Sequence, residues 1–174
     1  MIIRPATLED VMGLAKVHVD TWKATYRGIV ADSFLDGLSY ERSAKGWERS
    51  LSDPGSRQRI FVAVDDRGSV IGFASGGPNR DTDTPYKAEL WAIYILPEGQ
   101  GKGTGALLMR RFAEAMVADG LDSLAVWVLA DNERGRRFYE AMGGVLAARR
   151  QITIAGQTLD EVAYGWTDIH SLVR

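Results

Sequence analysis

The sequence predicts an α/β fold with a mixed, mostly antiparallel central sheet flanked by helices. Strand-like and helix-like segments alternate along the chain, two strand pairs are joined by short polar turns, and one long apolar strand enters a glycine-rich loop before a helix. Predicted strands span 1–4, 59–65, 70–75, 88–96, 124–129, 145–153 and 157–166. Predicted helices span 8–22, 32–38, 40–51, 101–119 and 132–142.

The first helix is predicted from its start signal and its periodicity. Thr7 and Asp10 have the spacing of a capping box, and apolar residues then recur at helical intervals as far as Trp22. Two shorter helical segments follow. The polar turn at 66–68 then separates two strands of a predicted hairpin.

The second half of the chain gives the clearer pattern. The strand 88–96 is almost continuously apolar, which is typical of a strand in the middle of a sheet. Gly120 stands where a helix that starts near Gly101 would need a residue with positive φ after its end. A strand, a helix ended by Gly143 and a closing hairpin complete the chain.

Composition restricts the classes of function. The 174 residues suit one domain over 1–174, and a net charge of −2 gives no general affinity for nucleic acid or for anionic membranes. No apolar run is long enough to span a membrane, and the N-terminus is unlike a signal peptide, so we expect a cytoplasmic protein. The chain has no cysteine, which excludes a cysteine nucleophile, and its two widely separated histidines do not suggest a metal site.

The segment 96–105 indicates a phosphate-binding loop. Gly101, Gly103 and Gly105 alternate with Lys102 and Thr104 between a predicted strand and a predicted helix. Glycines let a ligand approach the backbone, and the unpaired N–H groups of a helix's first turn attract phosphate. A tight turn without a ligand is the plainer interpretation, but three alternating glycines favour phosphate binding.

The segment 96–105 does not by itself identify which phosphate-bearing ligand would bind. No Gly-Lys-Ser or Gly-Lys-Thr closes the pattern, so a P-loop is excluded. The residues 101–106 fit the dinucleotide fingerprint G-x-G-x-x-A. However, 97–100 separate it from its strand, and too little chain follows for the rest of a six-stranded dinucleotide-binding sheet.

Gln100-Gly101-Lys102-Gly103-Thr104-Gly105 resembles the Q/R-x-x-G-x-G/A signature of the GNAT superfamily of N-acetyltransferases. The strand before it, the later strand 124–129, and the segment from Asn132 through Tyr139 to Gly143 are similar to further elements of that family. The similarity of element order covers nearly the whole chain. It implies an enzyme that uses acetyl-CoA as co-substrate and transfers the acetyl group to a primary amine.

The resemblance also implies positions for the co-substrate. The pyrophosphate of CoA would lie on the loop, and its pantetheine arm would pair with the preceding strand like an added strand. A strand bulge, whose position the sequence does not give, would open the slot for it. The implied CoA-binding residues are Ile93, Tyr94, Ile95, Gln100, Gly101, Lys102, Gly103, Thr104, Gly105, Asn132 and Tyr139.

Two residues are candidates for proton transfer. Tyr139 lies seven residues after Asn132, so both share one helix face, and the resemblance implies a place for Tyr139 beside the sulfur. Tyr139 would protonate the thiolate, and the plainer alternative is a core aromatic residue. Glu89 at the start of the long strand is the candidate base, its alternative being an exposed acid paired with Lys87 or an arginine.

The resemblance places the acceptor pocket near the end of the first helix, and we expect Trp22, Tyr26, Glu89 and Trp91 to bind the acceptor there. Trp91, Trp127 and Tyr164 lie on strands that could face the pocket, although core packing is favoured for Trp127 and Trp166. His18 is expected to pack on the first helix. The acceptor can be a polyamine, an amino acid, an aminoglycoside-like drug or a peptide N-terminus. The protein is expected to be a monomer or a homodimer. A catalytically silent CoA-binding module and, less favoured, a dinucleotide-dependent oxidoreductase are the alternatives.

Overall fold

A computed structural model describes residues 1–81 and 84–174. These described residues form seven strands: β1 (Ile2–Pro5), β2 (Arg59–Val64), β3 (Val70–Pro78), β4 (Ala88–Ile95), β5 (Leu124–Leu129), β6 (Val145–Ile154) and β7 (Gln157–Trp166). The helices are α1 (Val11–Tyr26), α2 (Asp32–Asp36), α3 (Tyr40–Ser52), α4 (Thr104–Ala118), α5 (Glu133–Ala141) and α6 (His170–Val173). Short 3₁₀ turns precede α1 at Leu8–Asp10 and α4 at Pro97–Gly99.

All seven strands join one sheet in the order β1-β2-β3-β4-β5-β7-β6. Within the described residues β4 and β5 form the single parallel pair, and the other neighbours are antiparallel. The predicted mixed, mostly antiparallel sheet is therefore confirmed. The arrangement differs from the parallel, doubly wound sheet that a dinucleotide-binding fold requires.

Most element boundaries agree with the sequence pattern, although α1 continues to Tyr26 and β3 to Pro78, beyond the predicted ends at 22 and 75. The start of α4 is the informative exception. The pattern starts this helix at Gly101, whereas the structure starts it at Thr104. The reason is that Gly101 and Gly103 have φ of +71° and +79°, which are incompatible with a right-handed helix. Gly120 ends the helix with φ of +77°, as predicted.

Helices cover both faces of the sheet. Leu108, Phe112 and Met116 of α4 pack against one face, together with apolar residues of β2, β3, β4, β5 and β7. Leu14 and Val17 of α1 pack on the other face against strands β2 and β3. Consecutive side chains of β4 alternate between these two layers, so both layers reach the site described below. None of the helices in the described ranges is both long and apolar enough to cross a membrane.

Candidate active site

Strands β4 and β5 separate part-way along their length and leave a slot. They are paired only from Ala88 with Leu124 to Leu90 with Val126. On the other side of β4, Ser75 pairs with Ala92 and Gly76 with Leu90, so Trp91 is the extra residue of a β-bulge. A bulge bends its strand and increases the local twist. The bulge that the sequence could not position therefore lies at Trp91, where β4 leaves β5.

The slot is a cavity of about 490 Å³ between the separated strands, the loop before α4 and helix α5. Helices from both faces of the sheet supply residues to this cavity, because Tyr26 of α1 and Tyr139 of α5 both line it. Among the sequence-predicted residues, the structure brings together Tyr26, Trp91, Ile93, Tyr94, Ile95, Gln100, Gly101, Gly103, Thr104, Gly105, Asn132 and Tyr139 along its wall.

The glycine loop is held in place from inside the protein. The Thr104 hydroxyl is 1% exposed and donates a hydrogen bond to the Gly99 carbonyl at 2.7 Å. The Gln100 side-chain amide donates to the Ile95 carbonyl at 2.7 Å. These two polar side chains therefore fix the loop to the end of β4 and leave its backbone to face the slot. The first N–H groups of α4, at the positive end of the helix dipole, make this wall suitable for phosphate.

The three loop glycines serve two different purposes. A Cβ added at Gly101 or Gly103 would have no atom within 4 Å, so these positions need glycine for their positive φ and for access to the slot. A Cβ at Gly105 would lie 3.0 Å from Cε2 of Phe138 and 3.2 Å from Cδ1 of Ile95. Gly105 therefore allows α4 to approach α5 closely.

Lys102, Glu89 and Trp22 do not line the slot. Lys102 instead lines a neighbouring groove that also includes Lys16 and Glu98. Trp22 lies behind Tyr26, with the two ring centres 4.7 Å apart. The indole of Trp22 thus supports the wall that the phenol of Tyr26 forms.

Asn132 and Tyr139 lie on the same side of α5, as their spacing predicts. The Asn132 side-chain oxygen accepts a hydrogen bond of 3.0 Å from the Gly135 N–H and so caps α5. Tyr139 is 6% exposed, and burial raises the pKa of its phenol above the usual value. The phenol therefore keeps its proton at neutral pH and can act as a donor in the slot.

Glu89 is buried and paired with an arginine. It is 5% exposed, and its Oε1 accepts a 2.7 Å hydrogen bond from Nη2 of Arg80. Its Oε2 accepts from Nε of Arg80 at 3.1 Å and from the Arg80 backbone N–H at 3.2 Å. The guanidinium of Arg80 also lies 4.2 Å from the ring centre of Trp91. The carboxylate and the bulge residue are thus connected through Arg80.

A second groove, which we call the α3 groove, lies on the α1 side of β4. Its volume is about 800 Å³, and it shares Trp91, Ala92 and Tyr94 with the slot. His18 lines this groove, with its ring stacked on Tyr94 at 5.9 Å and its Nδ1 3.1 Å from the hydroxyl of Ser43. Burial lowers the pKa of His18, which favours a neutral imidazole able to accept a proton.

Sequence reasoning gave His18 no role in a site. A signal was present, because His18, Trp22 and Tyr26 recur every four residues and so share one face of α1. Their rings do form one aromatic row in the structure.

Of the remaining aromatic candidates, Trp127 lies in the site, whereas Tyr164 and Trp166 lie in the hydrophobic core. Trp127 lines the slot, with the guanidinium of Arg150 3.9 Å from its ring centre, so the favoured core placement of Trp127 was wrong. Tyr164 is 1% exposed in the core, where its hydroxyl donates to Glu140 and accepts from Arg136, and it lines neither the slot nor the α3 groove. Trp166 packs in the core as expected.

Three polar atoms in the slot wall are buried without a hydrogen-bond partner among the described residues. They are Oγ1 of Thr21 and the indole Nε1 atoms of Trp91 and Trp127. Buried polar atoms without partners cost free energy, and these three lie beneath the surface of the wall. A slot with an unpaired strand edge along its wall and a helix N-terminus at its end fits a long, polar, phosphate-bearing molecule such as acetyl-CoA. Within the described ranges no group of three or more metal-ligating side chains is arranged for a metal ion.

Comparison with known proteins agrees with this geometry. The pattern of the Acetyltransferase (GNAT) family matches residues 18–144. An uncharacterized N-acetyltransferase of Bacillus subtilis, YuaI, is 41% identical over 98% of this chain and 95% of its own length. The spermidine N(1)-acetyltransferase of Thermoplasma acidophilum is 27% identical over 81% of this chain and 86% of its own length.

A solved structure shares the fold. The PaiA N-acetyltransferase of Thermoplasma acidophilum, crystallised in complex with coenzyme A, superposes with a TM-score of 0.73 at 24% identity, covering 92% of this chain and 96% of the other. The family match spans most of the chain and includes both the glycine loop and the face of α5 that lines the slot. The chain belongs to the GNAT family of acetyltransferases.

Proposed function

We propose that this N-acetyltransferase transfers the acetyl group of acetyl-CoA to a primary amine of a small molecule or of a peptide N-terminus. The observation that carries the proposal is the slot at the bulge of β4, which ends at the glycine loop and the first turn of α4. The solved PaiA structure contains coenzyme A, and a putative acetyltransferase from Salmonella typhimurium, similar to this fold with a TM-score of 0.70, contains acetyl-CoA. These neighbours support acetyl-CoA as the co-substrate.

The proposed position of acetyl-CoA follows the walls of the slot. Its pyrophosphate lies on the backbone N–H groups from Gln100 to Gly105, where two glycines of positive φ leave space for the phosphate oxygens. Its pantetheine amides pair with the main-chain edge that β4 turns away from β3, at Ile93 and at the Ile95 N–H, since the Ile95 carbonyl already accepts from Gln100. The side-chain amide of Asn132 and the phenol of Tyr139 line the opposite wall. Lys102, directed to the neighbouring groove, contributes its backbone to this site.

The chemistry requires a neutral amine, stabilisation of an oxyanion and protonation of a thiolate. The proposed mechanism is direct attack in a ternary complex, because a chain without cysteine cannot form an acyl-cysteine intermediate. Backbone N–H groups released from pairing where β4 leaves β5 are suitable donors to the oxyanion. Tyr139 gives its proton to the departing thiolate, since burial keeps its phenol protonated.

Removal of the proton from the amine is assigned to Glu89, directly or through water. The carboxylate lies two residues before the bulge but is held by Arg80, so it can accept a proton only when this ion pair opens or when water carries the proton. His18 is the second group able to accept a proton where the slot and the α3 groove meet. The pH dependence of the rate in variants of each residue distinguishes these two bases.

The experiment that tests the proposal combines binding and turnover. Thermal unfolding is measured with acetyl-CoA, CoA, NADH and ATP in parallel, because a ligand at a hundredfold excess over its dissociation constant stabilises the protein by about 2.7 kcal/mol. Stabilisation by acetyl-CoA and CoA alone is expected, followed by acetylation in a screen of amines. Stabilisation by CoA without acetylation of any amine would indicate a silent CoA-binding module. Stabilisation by NADH alone would contradict the proposal.

A further inference from the structure

The α3 groove is a second cavity that borders the slot along β4 and is large enough for a small molecule. The slot and the groove share Trp91, Ala92 and Tyr94, all of them on β4 at or after its bulge. The volume of about 800 Å³ lies in the range of small-molecule sites. A molecule in the groove can therefore reach the point where β4 leaves β5 from the face opposite α4.

The charge of the α3 groove is positive. Its charged lining residues are Arg42, Arg49 and Asp53. In the described part of the chain neither arginine forms an ion pair; Arg42 donates to the Gly37 carbonyl and Arg49 to the Lys45 carbonyl at 3.3 Å. A guanidinium has five N–H donors, so most donors of both arginines remain for other partners.

Gly46 lies in the wall of the groove, and the packing of the protein does not require a glycine there. Gly46 lies in the interior of α3, between Arg42 and Arg49, where glycine weakens a helix relative to alanine. A Cβ added at Gly46 would have no atom within 4 Å, so packing does not require glycine at this position. The two arginines are seven residues apart, which places them on one helix face about 10 Å from each other along the axis. Gly46 leaves the space between them open.

We propose that the α3 groove binds the acceptor, and that the acceptor is a primary amine that carries a carboxylate, as an α-amino acid does. This inference rests on the proposed acetyl transfer and names its substrate class. The carboxylate lies at the arginines, and the amine lies beside Trp91 and Tyr94, the residues of β4 that the groove shares with the slot. Trp47 and Phe73 give the groove an apolar wall for a side chain.

The same charges oppose a polyamine. Spermidine carries several ammonium groups, and two guanidinium groups against one carboxylate repel such a molecule. The relative from Thermoplasma acidophilum is named as a spermidine acetyltransferase. This chain is therefore expected to differ from that relative in its acceptor.

The first test compares acceptors of different charge. Rates of CoA release are measured with phenylalanine, with its amide and with spermidine at saturating acetyl-CoA, and each kcat/KM is expressed per concentration of unprotonated amine, because the carboxylate raises the pKa of the amine beside it. We expect kcat/KM to be at least about fivefold higher for phenylalanine than for the amide, since exposed ion pairs give factors of this order. In Arg49→Glu this preference is lost, while the KM of acetyl-CoA is unchanged. Arg149→Glu, with the same change of charge at an exposed arginine of β6 that lines neither the slot nor the groove, keeps the preference.

The second test fills the groove without harming the helix. Gly46→Leu is expected to raise the KM of phenylalanine about tenfold or more and to leave the melting temperature equal or higher, because leucine is the better helix former. Glu48→Leu is the control, since Glu48 is exposed on α3 and does not line the groove. A role of Gly46 in folding alone would lower the melting temperature and leave the KM unchanged.

Several outcomes would overturn the inference. These are a preference for the amide or for spermidine, an equal response of Arg49→Glu and Arg149→Glu, or an unchanged KM in Gly46→Leu. If CoA binds and no amine is acetylated, the proposed function fails. Whether phenylalanine binds in the α3 groove is then decided by calorimetric titration of the CoA-bound protein with phenylalanine. Absence of phenylalanine binding in that titration overturns the inference independently.

Discussion

Alanine at Gly103 is expected to damage CoA binding, whereas alanine at Gly120 is not. The two glycines stand at opposite ends of α4 with φ of +79° and +77°. A Cβ at either position would have no atom within 4 Å, so neither substitution creates a clash inside the protein. The cost of each is the left-handed backbone, roughly 1–2 kcal/mol of unfolding free energy. The two variants should therefore be destabilised equally.

The difference between them lies in the ligand. Gly103 lines the slot at the first turn of α4, and Gly120 lies after the last turn of the same helix. A methyl group at position 103 stands between the phosphate oxygens and the loop N–H groups, so we expect the Kd of CoA to rise at least about tenfold, which is about 1.4 kcal/mol. Urea unfolding gives the stabilities and isothermal titration gives the Kd values. Equal Kd values in the two variants would show that the loop is only a turn and would refute the phosphate assignment.

Three further predictions concern proton transfer and pH. Tyr139→Phe should lower kcat roughly 100-fold with little change in the Kd of CoA, and equal losses in both would remove Tyr139 from the role of acid. Glu89→Gln should lower kcat more than Arg80→Gln does, because only the first change removes the candidate proton acceptor; equal losses would favour a different base. The pKa of His18, read by NMR in a His170→Gln background that leaves one histidine, should lie below about 6.5. Because the unfolded chain then binds more protons than the folded one, the free energy of unfolding should fall as pH drops below that value, and His18→Gln should remove this dependence.

The fold was predictable because its signals are local. Hairpin turns, helix caps and a glycine with positive φ after α4 depend on short stretches of sequence, and the structure has them where the pattern placed them. The spacing of Asn132 and Tyr139 also placed both on one face of α5, since a helix has a fixed repeat. The glycine loop was recognisable for the same reason.

The details of the site depend on contacts between distant segments, which spacing does not encode. The bulge at Trp91 is a property of the pairing between β3 and β4 and leaves no mark in the sequence of β4 alone. Glu89, the candidate base, is paired with Arg80, as the alternative interpretation allowed, but it is buried rather than exposed. The α3 groove combines α1, α3, β3 and β4, and its shape follows from their packing.

The most direct test of the central claim is product analysis of one complete reaction. The purified chain is incubated with acetyl-CoA and a panel of primary amines, and mass spectrometry records acetylated amine and free CoA together. We predict an N-acetylated amine formed in equal amount to the CoA released, and no acetyl group on the protein, because attack is direct. CoA release without any acetylated amine, or acetylated protein that precedes the product, would contradict direct transfer in the slot between β4 and β5.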